Sequence, residues 1–162
     1  MKSVVAYILA GGTGSRLNVL VGHRAKPAVP FGGHYRLVDF TLSNLLHSGV
    51  LRIGVLTQYS PYSLMGHISH GEAWDYIGRS RSIKILPPSI DARHEKWYRG
   101  TADAIAQNID FAQRYQAREV LVVSGDHIYK MDYQHMLDFH RQKKADMTIA
   151  TIKVPQSDIS NF

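Results

Sequence analysis

The chain has 162 residues, 44% hydrophobic and 20% charged, which is the composition of one globular domain of mixed structure. It contains no cysteine, which excludes disulfides, thiolate nucleophiles and zinc–cysteine sites. The formal net charge is +6, from scattered basic residues. We favour small phosphorylated ligands over nucleic acid, because no RNA-recognition, zinc-finger or homeodomain pattern is present. Without a signal peptide or an apolar run near the roughly 20 residues of a membrane helix, we expect a cytoplasmic protein with no membrane partner.

Aliphatic and amphipathic segments alternate along the chain. Five aliphatic runs predict strands covered on both faces: Val4–Leu9, Arg52–Gln58, Ser82–Leu86, Val120–Ser124 and Met147–Val154. Three segments with helical spacing of apolar residues predict helices: Arg36–His47, Thr101–Tyr115 and Asp132–Lys143. Repeated β-α-β units predict an α/β protein with a Rossmann-like, mostly parallel sheet and helices on both faces. Ligands bind such sheets beyond the carboxyl ends of the strands.

A glycine-rich loop follows the first predicted strand, with the sequence Leu9-Ala10-Gly11-Gly12-Thr13-Gly14-Ser15-Arg16-Leu17. Glycine lets the backbone close on a ligand and permits the positive φ angles that point successive N–H groups at one anion. Arg16 adds a fixed charge with a planar donor fork. No Gly-Lys-Ser/Thr follows, so this is no Walker A loop, and Leu17 replaces the third glycine of a dinucleotide fingerprint. We interpret the loop as a phosphate cradle; the structural alternative is a turn that needs glycine only for geometry.

Two charged residues lie where they can reach such a phosphate. Lys26 precedes Pro27, which biases the lysine to an extended backbone and gives its ammonium a defined direction. Asp126 directly follows a predicted strand, and Gly125 before it is expected to leave room for a ligand or metal. One carboxylate together with triphosphate oxygens can hold Mg²⁺. The structural alternatives are a solvated surface lysine and a turn or capping aspartate.

The segment Trp97–Asp103 is a candidate nucleoside pocket. Gly100 and the start of the following helix offer free N–H donors, and Tyr98 can stack on a base or ribose. The alternative is an aromatic anchor for a loop. His67 and His70 share helical spacing, but nothing nearby completes a metal site, so we predict that both are surface residues.

Four motifs, at 9–17, 24–33, 97–104 and 125–129, together resemble the sugar-phosphate nucleotidyltransferases. The second and third, with Asp39-Phe40 and Thr57-Gln58-Tyr59, resemble the branch of that family that makes ADP-glucose. The resemblance implies transfer of the adenylyl group of ATP to glucose 1-phosphate, which yields ADP-glucose and pyrophosphate with Mg²⁺ as cofactor. It also implies assembly of the complete protein as a homotetramer.

Carried over by motif position, the resemblance implies three catalytic residues: Arg16, Lys26 and Asp126, the last also as metal ligand. It implies that the nucleotide is bound by Leu9, Ala10, Gly11, Gly12, Thr13, Gly14, Tyr98, Gly100, Thr101 and Ala102. Bacterial members often carry a lysine just before the motif at 24–33, where this chain has Gly22 and His23, so the resemblance leaves the choice of effector open. The lysine that usually ends the motif is His34 here.

The same resemblance identifies residues 1–162 as the N-terminal part of a catalytic domain. The rest of that domain, which supplies sugar-phosphate contacts and a second metal-binding aspartate, and a C-terminal β-helix domain are absent. We therefore expect these residues alone to be inactive. Two alternatives stay open: a related sugar-1-phosphate nucleotidyltransferase that uses UTP, GTP or CTP, and a non-catalytic regulatory subunit of the same fold.

Overall fold

A computed structural model describes residues 3–12, 24–78, 80–88, 90–91, 94–95 and 97–156. The strands in this part of the chain are β1 (Val4–Leu9), β2 (Pro30–Phe31), β3 (Tyr35–Arg36), β4 (Arg52–Leu56), β5 (Ser82–Leu86), β6 (Ile90–Asp91), β7 (His94–Glu95) and β8 (Glu119–Ser124). The α-helices are α1 (Leu37–His47), α2 (Tyr62–Ile68), α3 (Thr101–Gln107), α4 (Ile109–Arg114) and α5 (Tyr133–Lys143). None of the helices in these residues is long and apolar enough to cross a membrane.

Four strands form a parallel sheet in the order β5-β4-β1-β8, with Ala6 of β1 between Ile53 of β4 and Leu121 of β8. The strand β1 lies inside the sheet, and its first five residues are fully buried. The short pairs β2–β3 and β6–β7 are antiparallel. Four of the five predicted strands are thus confirmed, with ends that differ by at most two residues.

Helices cover both faces of the sheet, as predicted. On one face, Val38 and Leu42 of α1, Leu64 of α2 and Leu137 of α5 share a core with β1 and β4. On the other, α3 and α4 pack on β1 through a smaller cluster that includes Tyr7, Ala104 and Phe111. Burial on both faces explains the apolar runs of β1 and β4. The predicted cover on both faces is wrong for β8, where Val120 and Val122 are 42% and 43% exposed.

The predicted helix Thr101–Tyr115 is in fact two helices, which meet at Asn108. The phenol of Tyr7 donates a hydrogen bond to the Asn108 carbonyl at 2.7 Å and accepts one from the Ala112 N–H at 3.3 Å. These two backbone groups would pair with each other in a continuous helix. A side chain inserted into the hydrogen-bond ladder is a known cause of helix breaks.

The predicted strand Met147–Val154 is wrong. Its residues pair with no strand in the described chain, and Met147, Ile149 and Ile152 are more than two-thirds exposed. A hydrogen bond between His140 and Thr148 instead ties the segment to α5. The aliphatic pattern indicates only that these residues favour an extended backbone. A strand also needs a neighbouring strand with which its backbone can form hydrogen bonds.

The prediction that His67 lies on the surface is also wrong. Its imidazole is 2.6 Å from the Asp39 carboxylate, and it packs edge-on against Trp74. Asp39 is itself buried and accepts a hydrogen bond from the backbone N–H of Arg36, which caps α1. His70 is exposed, as predicted.

Candidate active site

The carboxyl ends of β1, β4 and β8 meet at one edge of the sheet and open on a cleft of about 440 Å³. This edge is where α/β proteins bind ligands. Four segments line the cleft, with residues Leu9, Gly11, Gly12, Leu56, Gln58, Tyr59, Tyr98, Arg99, Gly100, Thr101, Ala104, Ser124 and Asp126.

Lys26 and Asp126 form an ion pair at this edge, with Lys26 Nζ 2.8 Å from Asp126 Oδ2. The other carboxylate oxygen, Oδ1, accepts a hydrogen bond from the hydroxyl of Ser124. The side chain of Asp126 is 21% exposed and that of Lys26 is 37% exposed, so the pair is shielded but within reach of a ligand. Both residues are therefore held by specific contacts, and neither is a free surface group or a helix cap.

Burial is the largest influence on the pKa of Asp126 and by itself would raise it. Hydrogen bonds from Lys26 and Ser124, together with the charges of Lys26 and His127, outweigh burial and lower the pKa below its ordinary value. The carboxylate is therefore ionised at neutral pH, as a metal ligand or an electrostatic partner must be.

The predicted reason for Gly125 is wrong, since the glycine serves close packing and does not leave space for a ligand. A Cβ at this position would lie 2.9 Å from Ile8 Cγ2, 3.2 Å from the Leu9 carbonyl and 3.3 Å from Pro27 Cγ. Its N–H also donates to the Leu9 carbonyl at 3.0 Å. Gly125 therefore lets the Asp126 loop approach both β1 and the segment that carries Lys26.

The first two glycines of the loop also differ from the expectation. Neither Gly11 nor Gly12 adopts a positive φ. A Cβ on Gly11 would lie 3.3 Å from Gln58 Cβ, whereas a Cβ on Gly12 would meet nothing within 4 Å. Gly11 thus relieves a tight approach of the segment after β4, and Gly12 leaves its side of the cleft open.

Tyr98 anchors its loop as well as lining the cleft. Its hydroxyl donates to the Leu86 carbonyl at 3.1 Å and accepts from Asn108 Nδ2 at 2.9 Å. Its backbone N–H donates to Gln58 Oε1 at 3.0 Å. Burial, the largest influence, raises the pKa of Tyr98. Gly100 beside it is extended, with φ 171°, a conformation open to any residue.

Most of the predicted nucleotide-binding residues that the structure describes line the cleft: Leu9, Gly11, Gly12, Tyr98, Gly100 and Thr101. Ala10 is buried behind it and donates its N–H to the Leu56 carbonyl, and Ala102 is exposed outside the lining. Thr13, Gly14 and Arg16 lie outside the described residues.

The sequence reasoning missed six lining residues: Leu56, Gln58, Tyr59, Arg99, Ala104 and Ser124. A signal for Gln58 and Tyr59 was present, because they lie at the carboxyl end of a predicted parallel strand, as Gly11 and Asp126 do. Tyr59 stacks on Trp97 with ring centroids 5.6 Å apart and planes at 20°.

The cleft fits a metal ion only as a partner of substrate phosphates. Among the described residues no three His, Cys, Asp or Glu side chains come together as a metal cage. Asp126 is a single ionised carboxylate at the mouth of the cleft. This suits Mg²⁺, which keeps several waters and takes one or two carboxylates plus phosphate oxygens.

A larger groove of about 630 Å³ lies between β8, α5 and residues 146–150. Its walls are mainly aliphatic, including Leu121, Val123 and Met136, and its lining contains none of the predicted site residues. The smaller cleft is the candidate site because the predicted charged and polar groups converge there, not because of its size.

A family model for nucleotidyl transferases matches residues 5–162. The chain belongs to the nucleotidyl transferase family. This confirms the family to which the four sequence motifs pointed.

Curated relatives named glucose-1-phosphate adenylyltransferase match almost the whole chain. Those of Clostridium beijerinckii, Clostridium perfringens and Geobacillus stearothermophilus are 55%, 56% and 54% identical over 99% of it. The chain spans 42% of the length of each of these relatives.

A crystal structure of a Bacillus anthracis protein assigned as a glucose-1-phosphate thymidylyltransferase shares the fold. Its TM-score is 0.68 at 22% identity, and the match covers 87% of this chain and 51% of that protein. This likeness confirms the predicted α/β fold with its mostly parallel sheet.

Proposed function

We propose that the chain is the N-terminal part of the catalytic domain of a glucose-1-phosphate adenylyltransferase. In the full-length protein it would bind ATP and help to transfer the adenylyl group to glucose 1-phosphate, which yields ADP-glucose and pyrophosphate. The observation that carries this proposal is the Lys26–Asp126 pair, placed at the mouth of a cleft that Gly11 and Gly12 also line. Similarity to the adenylyltransferases over 99% of the chain supports the choice of substrates.

The protein catalyses this reaction mainly by positioning the two substrates and stabilising the charge on the phosphate oxygens, without forming a covalent intermediate. An oxygen of the sugar phosphate attacks the α-phosphorus of ATP in line, and the bond from that phosphorus to the pyrophosphate oxygen breaks. Lys26 would neutralise charge on the phosphate oxygens, together with Arg16 from outside the described residues. Preorganised charges of this kind stabilise a transition state because they need no reorganisation.

Asp126 would hold Mg²⁺ against the α-phosphate, and the ion, when bound, would neutralise charge on the phosphate oxygens. The ionised state and fixed position of the carboxylate support this role. Leu9, Gly11, Gly12, Tyr98, Gly100 and Thr101 would surround the nucleotide. Tyr98 would act through the shape of its loop, because its hydroxyl is already bonded to Leu86 and Asn108.

The intact ion pair favours a catalytic protein over a non-catalytic regulatory subunit of the same fold, since such a subunit has no need of both charges. The choice of nucleotide is tested by a screen of the full-length protein with ATP, UTP, GTP and CTP and glucose 1-phosphate. We expect pyrophosphate release from ATP only. Preference for another nucleotide would assign the chain to a different branch of the family.

The 162 residues by themselves would bind nucleotide weakly and turn over nothing, because the relatives are more than twice as long. Isothermal titration calorimetry of this chain with ATP and Mg²⁺ measures the affinity for nucleotide. Synthesis of ADP-glucose by this chain alone would contradict the expected lack of turnover. Assembly of the complete protein as a homotetramer remains a prediction of the resemblance, and a cytoplasmic location remains a prediction of the sequence.

A further inference from the structure

The helix α1 and the residue that caps its C-terminus carry a line of three buried polar side chains: Thr41, Asn44 and Ser48. They are 0%, 7% and 4% exposed, and their spacing of three and four residues places them on one face of the helix. Buried polar groups cost free energy unless they find hydrogen-bond partners. All three find backbone partners in the segment 124–133, which joins β8 to α5 and contains Asp126.

Thr41 is the member nearest the cleft. Its hydroxyl donates to the Ser124 carbonyl at 2.9 Å. Ser124 in turn donates its own hydroxyl to the Asp126 carboxylate, so its carbonyl and its side chain are both fixed. The backbone between them is tied on the other side, where the Gly125 N–H donates to the Leu9 carbonyl at 3.0 Å.

The other two members hold the far part of the segment. Asn44 donates to the Tyr129 carbonyl at 2.9 Å and accepts from the Met131 N–H at 3.4 Å. Ser48 accepts from the Tyr133 N–H at 2.8 Å. These bonds fix the entry into α5, well after Asp126.

The same helix also touches the segment that carries Lys26. The Leu37 N–H at its start donates to the Val29 carbonyl at 3.2 Å, and α1 packs against the single helical turn Lys26–Ala28. One helix therefore holds both partners of the ion pair, through Leu37 on one side and through Thr41 on the other.

We propose that Thr41 is a positioning residue for nucleotidyl transfer. Through the Ser124 carbonyl it fixes the place of the Asp126 carboxylate relative to Lys26. The inference rests on the proposed role of Asp126 and adds the residue that sets its geometry. Catalytic groups work within narrow tolerances, and a displacement of about 1 Å can cost about 100-fold in rate.

The test uses three variants of the full-length protein. Thr41→Val keeps the shape but removes the hydroxyl, Thr41→Ser keeps the hydroxyl, and Ser48→Ala removes a comparably buried hydroxyl at the far end of the line. We expect Thr41→Val to lower kcat by about 10- to 100-fold and to raise the Mg²⁺ concentration for half-maximal activity, with the KM for ATP within about twofold.

Thr41→Ser should restore most of the activity. Ser48→Ala should lower the urea midpoint of unfolding about as much as Thr41→Val while leaving kcat and the Mg²⁺ dependence unchanged. Wild-type kinetics in Thr41→Val would overturn the proposal. The proposal would also be overturned if Thr41→Val and Ser48→Ala both lost activity in proportion to their loss of stability. In that case the hydrogen bond from Thr41 to the Ser124 carbonyl would stabilise the fold and would not position Asp126.

Crystal structures of the variants give a readout that does not need activity. The distance between Lys26 Nζ and Asp126 Oδ2 should lengthen by about 1 Å or more in Thr41→Val and stay unchanged in Ser48→Ala. An unchanged distance in Thr41→Val would refute the positioning role even in an active enzyme. Conversely, a lengthened distance in a protein that makes no ADP-glucose would refute the proposed function and leave the positioning role standing.

Discussion

The ammonium of Lys26 lies 2.8 Å from the carboxylate of Asp126, although the two residues are far apart in the sequence. Lys26 comes from a single helical turn stiffened by Pro27, and Asp126 comes from the loop after β8. Their contact places a matched pair of charges beside the cleft, which Asp126 lines and Lys26 reaches only through this pair. The two charged side chains are thus held in place before a polyanion binds.

Replacing Lys26 by methionine should raise the pKa of Asp126. The substitution removes a hydrogen bond and a positive charge that lower this pKa, while burial, which raises it, stays. Carbon-13 NMR titration of the Asp126 carboxyl measures the shift. Lys153→Met, at an exposed position, is the control, and equal pKa values in the two variants would show that Lys26 does not govern the carboxylate.

Replacing Gly125 by alanine should lower the free energy of unfolding by about 1 to 3 kcal/mol, the range for overpacking in a tight site. The new Cβ would meet Ile8 Cγ2 at 2.9 Å and the Leu9 carbonyl at 3.2 Å. Gly12→Ala is the matched control, because nothing lies within 4 Å of its Cβ position. Urea unfolding should separate the two variants, and equal stabilities would contradict the packing role of Gly125.

Replacing Tyr7 by phenylalanine should lower the free energy of unfolding by about 1 to 3 kcal/mol, because the Asn108 carbonyl and the Ala112 N–H lose their shared partner. The exposed Tyr35 offers the control substitution Tyr35→Phe, which should leave stability unchanged. Thermal or urea unfolding measures both. A Tyr7→Phe variant as stable as Tyr35→Phe would mean that the helix break does not depend on the phenol.

The pair Arg141–Glu119 predicts a pH dependence of stability. Two hydrogen bonds join the guanidinium to the carboxylate, at 2.8 and 2.6 Å, and the first cause of the lowered pKa of Glu119 is this hydrogen bonding. A carboxyl with a lowered folded-state pKa contributes stability above its unfolded pKa, about 4.3 for glutamate, and loses it as the pH falls through the folded value.

Arg141→Gln should therefore weaken the protein at pH 7 and flatten the fall in unfolding free energy between pH 6 and pH 3. Arg114→Gln, at an exposed arginine of α4, should leave the slope unchanged. Urea unfolding at a series of pH values measures both slopes. A wild-type slope in Arg141→Gln would remove this pair from the acid response of the protein.

Local patterns predicted most of the fold because the sheet is parallel and its inner strands β1 and β4 are buried. The predicted bounds of Val4–Leu9, a continuous apolar run, and of Ser82–Leu86, where Lys84 interrupts the aliphatic residues, are the observed ones. Asp132 caps α5 by accepting from the Gln134 N–H, as its residue type suggests. The break at Asn108 was beyond such patterns, because its cause is a phenol from β1. The failure at Met147–Val154 has the same origin, since the presence of a partner strand is not a local property.

The sequence predicted which residues of the candidate site reach the cleft better than it predicted the contacts that hold them in place. The rule that ligands bind at the carboxyl ends of parallel strands placed Gly11 and Asp126 at one edge, and the structure brings them to one cleft. The reasons for Gly11 and Gly125 were different from those expected, because close approach depends on distant neighbours. The line from Thr41 to Asp126 was not visible in the sequence, since Thr41 looks like any threonine of an amphipathic helix.

The most direct test of the account is the rate of pyrophosphate release from ATP by the full-length protein, with and without glucose 1-phosphate, in wild type and Asp126→Asn. Asp110→Asn, at an exposed acid of α4, is the control. We predict release only with glucose 1-phosphate, a fall of at least about 100-fold in Asp126→Asn, and a wild-type rate in Asp110→Asn. An Asp126→Asn variant as fast as wild type, or a wild-type protein that releases no pyrophosphate, would contradict the central claim.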